Sequence, residues 1–554
     1  MIRLKDNQKI LLKELYLNHN YSQFQLEIEK LGNLDDLPEF LKIGYAGAIV
    51  LNNQSDKKNL LKAVLILDKV YQNNNNLEAL YNLIAASLKA ETYFKVIKHL
   101  NKRENSDDPI ILEGLAKINF IIGNIARSNF FYEKLLNLDL DKKIDGPRMT
   151  YLFSMNYLTN FSQNIYLENS KKMQIIFDKN SELSKFKNIN LKNKKIKIGF
   201  LSGDFKNHSV GIFLKGLINK LDKNLFELIG LSNLSIQKQD EYSKFFKDNF
   251  NKWIDIFEIS DEKLVEMVRS LNLDIFFDLA GYSSGNRINI FATRCAPKQV
   301  LWLGYNNTTG LKNMDYLIAD PNLIKDNEKN LYLEKILYLP KIWNAMSIPE
   351  SLPEINKFNK LNKKYFKFGS FNNFQKISEA TIKVWSKILK KTNSKLILKN
   401  SVSYNEEINA NLKNKFIQES VKIENIIFLK NKKTNTDHLK DYNEIDLCLD
   451  TFPYPGVTTS FEANIMGVPV LTRKGYNFNS RCGESINRNL GLDYLIAKDD
   501  DDYIDKAIYF SKSMNTDQNF RENHRKKTMS SPLYDIDNFS KQFNDLLLSL
   551  YSNS

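Results

Sequence analysis

The sequence predicts an all-α segment followed by two α/β halves, each built on a parallel sheet. Three observations point there. Through the first 185 or so residues apolar side chains recur at i, i+3 and i+4, and strand patterns are scarce. From KIKIGFLSGDF onward, short β-rich runs alternate with amphipathic stretches, as in βαβ units. A second series of the same kind begins near Phe366, after a polar stretch with scattered Pro at 341–364 that reads as a linker. The expected domains are 1–185, 186–345 and 346–554. A chain of 554 residues, 42% hydrophobic and 26% charged, is an ordinary folded protein of about three to four domains.

The elements follow in order. Helical spacing covers 45–51, 60–70, 77–88, 96–100, 110–122 and 128–138. Small or β-branched residues fall at Ala63, Val96 and Ser128, with large residues four positions later at Leu67, Leu100 and Tyr132. Gly123 sits in the turn between two helices. The period of 32–33 residues resembles degenerate tetratricopeptide repeats; an irregular helical bundle is the alternative. In the first α/β series KIKIGFLSGDF is a strand, 212–221 a helix, 226–231 a strand, and 261–271 a helix. Strands follow at 274–279, 299–303 and 316–319. The second series has strands at FKFGSF, 395–399, 426–429, 447–450 and 468–472. Its helices are 378–391, 406–419, 459–466 and one from Asp499. A long amphipathic helix over 536–551 closes the chain. In such paired folds the ligand lies between the halves, outside the carboxyl ends of the strands.

Composition excludes several classes. The net charge of +14 (79 Lys+Arg against 65 Asp+Glu) would suit a polyanion partner, but it is dispersed in a Lys- and Asn-rich chain. No Arg-rich or aromatic-interleaved stripe occurs, so no nucleic-acid partner is expected; a local phosphate pocket stays compatible. No apolar run approaches the roughly 18 residues needed to span a bilayer, and charges interrupt the opening MIRLKDNQKILLKELY. A cytoplasmic protein with no membrane partner is expected. Cys295, Cys448 and Cys482 have neither disulfide-framework nor metal-ligand spacing. G-x-G-x-x-G and G-x-x-x-x-G-K-[ST] are both missing. The run Asp499 to Asp502 suits a helix start, where carboxylates complement the dipole, better than a metal site. Neither a metal nor a cofactor is expected.

A few residues stand where chemistry is done. His208, in LSGDFKNHSVGIFL, follows a strand and precedes a helix. There it is either a polar loop residue or an imidazole able to accept a proton from a hydroxyl. In DLCLDTFPYPGVTTSFEANIMGVPVLT a strand ends at Asp450, and a Pro/Gly loop leads to Thr458, Thr459 and a helix. Hydroxyls and free amides at a helix start form an anion site, or simply cap the helix. Glu462, one turn on, either accepts from ribose hydroxyls or complements the dipole. Lys376, in SFNNFQKISEAT between a strand and a helix, either neutralises a departing diphosphate or is one of many solvated lysines.

Beyond single residues, six segments in order over roughly 150–550 resemble the protein O-GlcNAc transferase and SPINDLY family. They are MTYLFSMNYLTNFS, KIKIGFLSGDFKNHSVGIFL, the run LDIFFDLAGYSSGNRINIFATRCAPKQVLWLGYNNTTGLKNMDYLIAD, GSFNNFQKISEATIKVWSKIL, DLCLDTFPYPGVTTSFEANIMGVPVLT and SPLYDIDNF. The repeats ahead of them fit too. The resemblance implies a GT-B fold of two Rossmann-like domains preceded by a tetratricopeptide-like domain. It implies metal-independent, inverting transfer of a sugar, GlcNAc foremost, from a UDP-sugar to Ser or Thr of an acceptor protein held by the helical repeats. It makes His208 the base or acceptor-orienting group and Lys376 the diphosphate contact. His438 falls near the nucleotide, Thr458 and Thr459 at the diphosphate, and Gly304 in the sugar-pocket loop. Four positions depart from the animal enzymes: Val457 for histidine, Glu462 for aspartate, Asn306 for proline and Asn373 for glutamine. They leave the sugar and nucleotide open. Two other readings remain: a cytoplasmic N-glucosyltransferase acting on Asn, and a repeat scaffold with a vestigial catalytic half.

Overall fold

The computed structural model describes residues 4–52, 55–138, 145–178, 195–356, 365–400, 405–513 and 519–552. The chain forms two compact units, Met1–Asp139 with Asn405–Asn411, and Leu140–Tyr404 with Leu412–Ser554.

The first unit is helical, and local chemistry sets its helix ends. Asp56, Asn76 and Asp108 cap the starts of helices Lys57–Asn74, Leu77–Ala90 and Pro109–Ile121 by accepting backbone N–H bonds. Asn75 and Glu91 close the first two of these in the left-handed conformation. The repeat positions Ala63, Val96 and Ser128, with Leu67, Leu100 and Tyr132, are all fully buried. Ala63, Val96 and Ser128 lie in helices Lys57–Asn74, Tyr93–Asn101 and Ile125–Leu136, the second helix of each successive pair. The helical segment thus fits tetratricopeptide-like pairs.

Helices continue past this unit. Asp145–Met155 and Gln163–Asp178, expected within the 1–185 helical domain, fall in the second unit; the boundary at 185 itself lies outside the described residues. Polar side chains of the second of these helices bond to the first α/β half. Gln163 Nε2 donates to Asn307 Oδ1 (2.7 Å), and the Lys312 N–H donates to Gln174 Oε1 (2.9 Å). Helical periodicity announces a helix but not the surface it packs on.

Two parallel sheets form the second unit. The first comprises β1 (Ile196–Ser202), β2 (Phe226–Ser232), β3 (Lys252–Asp255), β4 (Ile275–Asp278), β5 (Lys298–Leu301), β6 (Tyr316–Ala319) and β7 (Lys335–Tyr338), in the order β3-β2-β1-β4-β5-β6-β7. The second comprises β8 (Phe366–Ser370), β9 (Ser394–Leu398), β10 (Ile426–Phe428), β11 (Leu447–Leu449), β12 (Val470–Arg473) and β13 (Ile496–Ala497), in the order β10-β9-β8-β11-β12-β13. β4 and β11 are buried throughout, because helices cover both faces of a parallel sheet. In each sheet the strand order reverses beside the first strand, at β1/β4 and β8/β11, which opens a crevice at the carboxyl ends.

The closing helix Ile536–Ser552 belongs to the second half in sequence but packs on the first. Phe543 is fully buried, its ring 4.7 Å from Trp302 and 6.0 Å from Phe277. The amphipathic pattern of 536–551 foretold the helix; its apolar cover lies on the other sheet. Among the described residues no helix is long and apolar enough to cross a membrane.

Candidate functional site

Loops after β1, β4 and β5 from one half, and after β8 and β11 from the other, line a cleft of about 690 Å³. Both switch points open onto it. Six of the residues singled out from sequence line this cleft together: His208, Gly304, Asn373, Lys376, Thr458 and Thr459. Glu462 lines a second cavity of about 560 Å³, one turn along the helix from the threonines, and His438 is bonded to it.

His208 is the N-cap of helix Ser209–Lys220. Its Nδ1 lies 3.4 Å from the Val210 amide and 3.5 Å from Asp204 Oδ2. Surrounding protein atoms displace water from the ring and hold its pKa below the ordinary value, opposed by Asp204 and aided by Lys206, although 46% of the side chain stays exposed.

Lys376 ends the short turn Phe374–Lys376 after β8. Its Nζ donates to the Pro455 carbonyl at 3.0 Å and lies 4.2 Å from the Tyr454 ring centroid. Burial brings its pKa down to about 8, against the pull of Asp450 and Cys482. Such an ammonium is poorly hydrated and, among the described residues, has no carboxylate within bonding distance, so an arriving anion gains more from it than from a solvated lysine. Asn373 is exposed and caps the same turn, its Oδ1 accepting from the Gln375 amide at 3.3 Å.

Thr458 and Thr459 are the first two residues of helix Thr458–Ile465, which no side chain caps. The simple capping alternative for these threonines therefore does not describe them. Their amides remain at the positive end of the helix, on the cleft. Thr459 Oγ1 donates to Asn372 Oδ1 at 2.9 Å. Gly456 makes this approach possible, since a Cβ there would lie 2.3 Å from Thr459 Oγ1. Asp450 sets the whole loop. It accepts from the Gly456 amide (2.7 Å), the Thr451 amide (3.0 Å), Thr472 Oγ1 (2.8 Å) and Asn372 Nδ2 (3.2 Å). Its burial raises the carboxyl pKa to about 6.

On the first half, Gly304 packs against the Leu279 carbonyl, where a Cβ would sit at 2.1 Å. Its N–H bonds to the Trp302 carbonyl across Leu303, which takes φ +81°. That three-residue turn is rare for a non-glycine residue and belongs to the strained backbone found at functional sites.

His438 and Glu462 form part of a chain. Lys399, with 1% of its side chain exposed, reaches both Asp441 Oδ2 and His438 Nδ1 at 2.8 Å. An ammonium only donates, so His438 Nδ1 accepts and Nε2 carries the proton toward Glu462 Oε2 at 3.1 Å. Tyr442 OH meets the same oxygen at 3.0 Å. Asn372, Lys399, Tyr442, Asp450 and Asp204 were not singled out from sequence. Asp204 and Asp450 at strand ends carried the positional signal; the others converge only in three dimensions. The Asp499–Asp502 run starts helix Asp500–Ser513, with Asp499 Oδ1 accepting the Asp502 amide at 2.9 Å.

Comparison with known proteins matches residues 164–365 and 354–543 to the model of glycosyl transferase family 41. The chain is 29% identical over 425 residues to the Solanum lycopersicum protein named probable UDP-N-acetylglucosamine–peptide N-acetylglucosaminyltransferase SPINDLY, covering 75% of this chain and 45% of that one. It is 25% identical over 353 residues to the Arabidopsis thaliana relative of the same description named SEC, covering 62% and 36%. The chain thus spans less than half the length of these relatives. A lysine-to-methionine variant of the Thermobaculum terrenum O-GlcNAc transferase superposes with TM-score 0.80 at 25% identity, over 93% of this chain and 98% of that one.

Proposed function

Since this chain belongs to glycosyl transferase family 41, we propose that it transfers a sugar, N-acetylglucosamine foremost, from a UDP-sugar to Ser or Thr of an acceptor protein, with inversion and without a metal ion. The observation that carries this reading is the convergence of His208, Lys376 and the uncapped helix start at Thr458 and Thr459 on one cleft. The acceptor hydroxyl attacks the anomeric carbon, the bond from that carbon to the diphosphate oxygen breaks, and the configuration inverts. Charge growing on the diphosphate meets the Lys376 ammonium and the Thr458 and Thr459 amides, fixed donors that stand in for a cation. The hydroxyl proton passes to His208 Nε2 in the tautomer whose Nδ1 proton faces Asp204 Oδ2 at 3.5 Å, a state that gives up the bond Nδ1 otherwise accepts from the Val210 amide. Glu462, held by His438 and Tyr442, keeps one oxygen for the ribose hydroxyls. The helical pairs hold the acceptor chain.

The separation of roles is testable. His208→Ala removes the proton acceptor and none of the diphosphate contacts. Transfer falls by about 10²-fold or more while UDP affinity, measured by calorimetry, stays near wild type. Wild-type transfer by this variant would remove His208 from the mechanism.

A further inference from the structure

The mouth of the cleft on the first half carries apolar surface that the chemistry above does not use. Phe257, in the turn after β3, lines the cleft with 53% of its surface exposed. Leu234 lines it from the loop after β2, itself buried and forming a floor, and Lys238 stands beside it. Ile236, in the same short turn Ile236–Lys238, is 76% exposed. Scattered exposed apolar residues are ordinary. Here an exposed phenylalanine and a buried leucine line the cleft that also holds His208, and exposed Ile236 follows that leucine two residues on.

We propose that this rim, Phe257 with Leu234, is a subsite for a bulky apolar side chain of the acceptor, about three residues from the one that is modified. The inference rests on the reading of the cleft as a sugar-transfer site. In that reading the nucleotide sits on the second half, along helix Thr458–Ile465, so the rim on the first half is left to the acceptor. The rim is continuous with His208: the loops after β1, β2 and β3 stand side by side, because the sheet runs β3-β2-β1. Neighbouring strands lie about 4.8 Å apart, so the carboxyl ends of β1 and β3, from which the His208 loop and Phe257 extend, are roughly 10 Å apart. An extended chain advances about 3.3 Å per residue, so a segment whose hydroxyl is at His208 reaches Phe257 with its third neighbour. An extended segment is also the shape that presents a single hydroxyl to a cleft while placing side chains along its rim.

The test uses the full-length protein, a UDP-sugar and a randomised peptide library centred on Ser or Thr, with products sequenced. An apolar residue two to four positions from the modified one is expected to be enriched. Against a single peptide carrying it, Phe257→Ala should raise the peptide KM roughly tenfold, with a smaller effect on kcat. The same peptide with that residue changed to Ala should be used equally by both proteins, because the contact is already gone. Phe257→Glu should turn the preference at that position toward Lys or Arg. A library with no positional preference, or a preference unchanged in Phe257→Glu, overturns the subsite. So does donor hydrolysis with no peptide modified, which leaves the sugar-transfer reading standing. A wild-type protein that neither binds UDP nor turns over any donor refutes that reading, and the subsite with it.

Discussion

The two groups assigned to proton and charge in the cleft titrate on opposite sides of neutrality, and the pH dependence of kcat/KM should report both. Lys376 has its pKa brought down to about 8 by burial. A lysine is charged below its pKa, so the ammonium assigned to the leaving diphosphate is present at pH 7 and lost as pH rises through about 8. One unit higher, near pH 9, about a tenth of the free enzyme carries it, and kcat/KM should be down about tenfold. His208, with its pKa below the ordinary histidine value of 6.5, works in the opposite sense. It must be neutral, so kcat/KM should rise with pH through a value below 6.5 and then level off. The profile is a bell with its plateau near neutrality. The alkaline limb should lie higher in kcat, because bound diphosphate favours the charged lysine. Lys376→Arg keeps a charge at every accessible pH and should lose the alkaline limb even where the rate is lower. Lys376→Met should cost about 10²–10³ in kcat at pH 7. Steady-state rates from pH 5 to 10 with wild type and the Arg variant decide the matter. A profile flat through pH 9, or an alkaline limb unchanged in the Arg variant, would refute the assignment of Lys376.

Further outcomes follow from the same contacts. Replacing Thr458 and Thr459 together by Val removes both hydroxyls and the bond from Thr459 to Asn372; UDP affinity by calorimetry should weaken about tenfold, and unchanged affinity would count against the threonine site. Phe543→Ala strips the fully buried contact of the closing helix with Trp302 and Phe277. It should cost about 3–5 kcal/mol in denaturant unfolding, and a loss below 1 kcal/mol would show that the helix is held elsewhere.

Much of the fold was legible because buried parallel strands write near-continuous apolar runs, as in KIKIGFLSGDF. The edge strands of the first sheet were not, whereas β10, an edge of the second, was read at 426–429. β3 and β7 are half exposed and read as mixed sequence, KWID and KILY, so neither was foreseen. Helix Gln163–Asp178, inside the expected helical domain, was not delimited because its buried face includes Gln163 and Gln174, polar residues paired with the first α/β half, and Ser170, which bonds back to Leu167. At the site, His208, Lys376 and the threonine pair stood out because each follows a strand and precedes a helix. Asn372 and Lys399 gave no such signal. Asn372 acts through Thr459 and Asp450, both far along the chain. Lys399 is one lysine among many until burial brings it between Asp441 and His438. The closing helix was legible as an element, but its partner depended on the other sheet.

The proposed activity is transfer of a sugar from a nucleotide to protein hydroxyls without a metal ion. The most direct measurement incubates the pure protein with a panel of UDP- and GDP-sugars and lysate proteins in excess EDTA, and follows product masses before and after alkaline β-elimination. The expected product carries a mass increment of one N-acetylhexosamine from UDP-N-acetylglucosamine, undiminished by EDTA and released by alkali. Incorporation that resists alkali, that requires Mn²⁺ or Mg²⁺, or that fails with every donor although UDP binds, would contradict that activity.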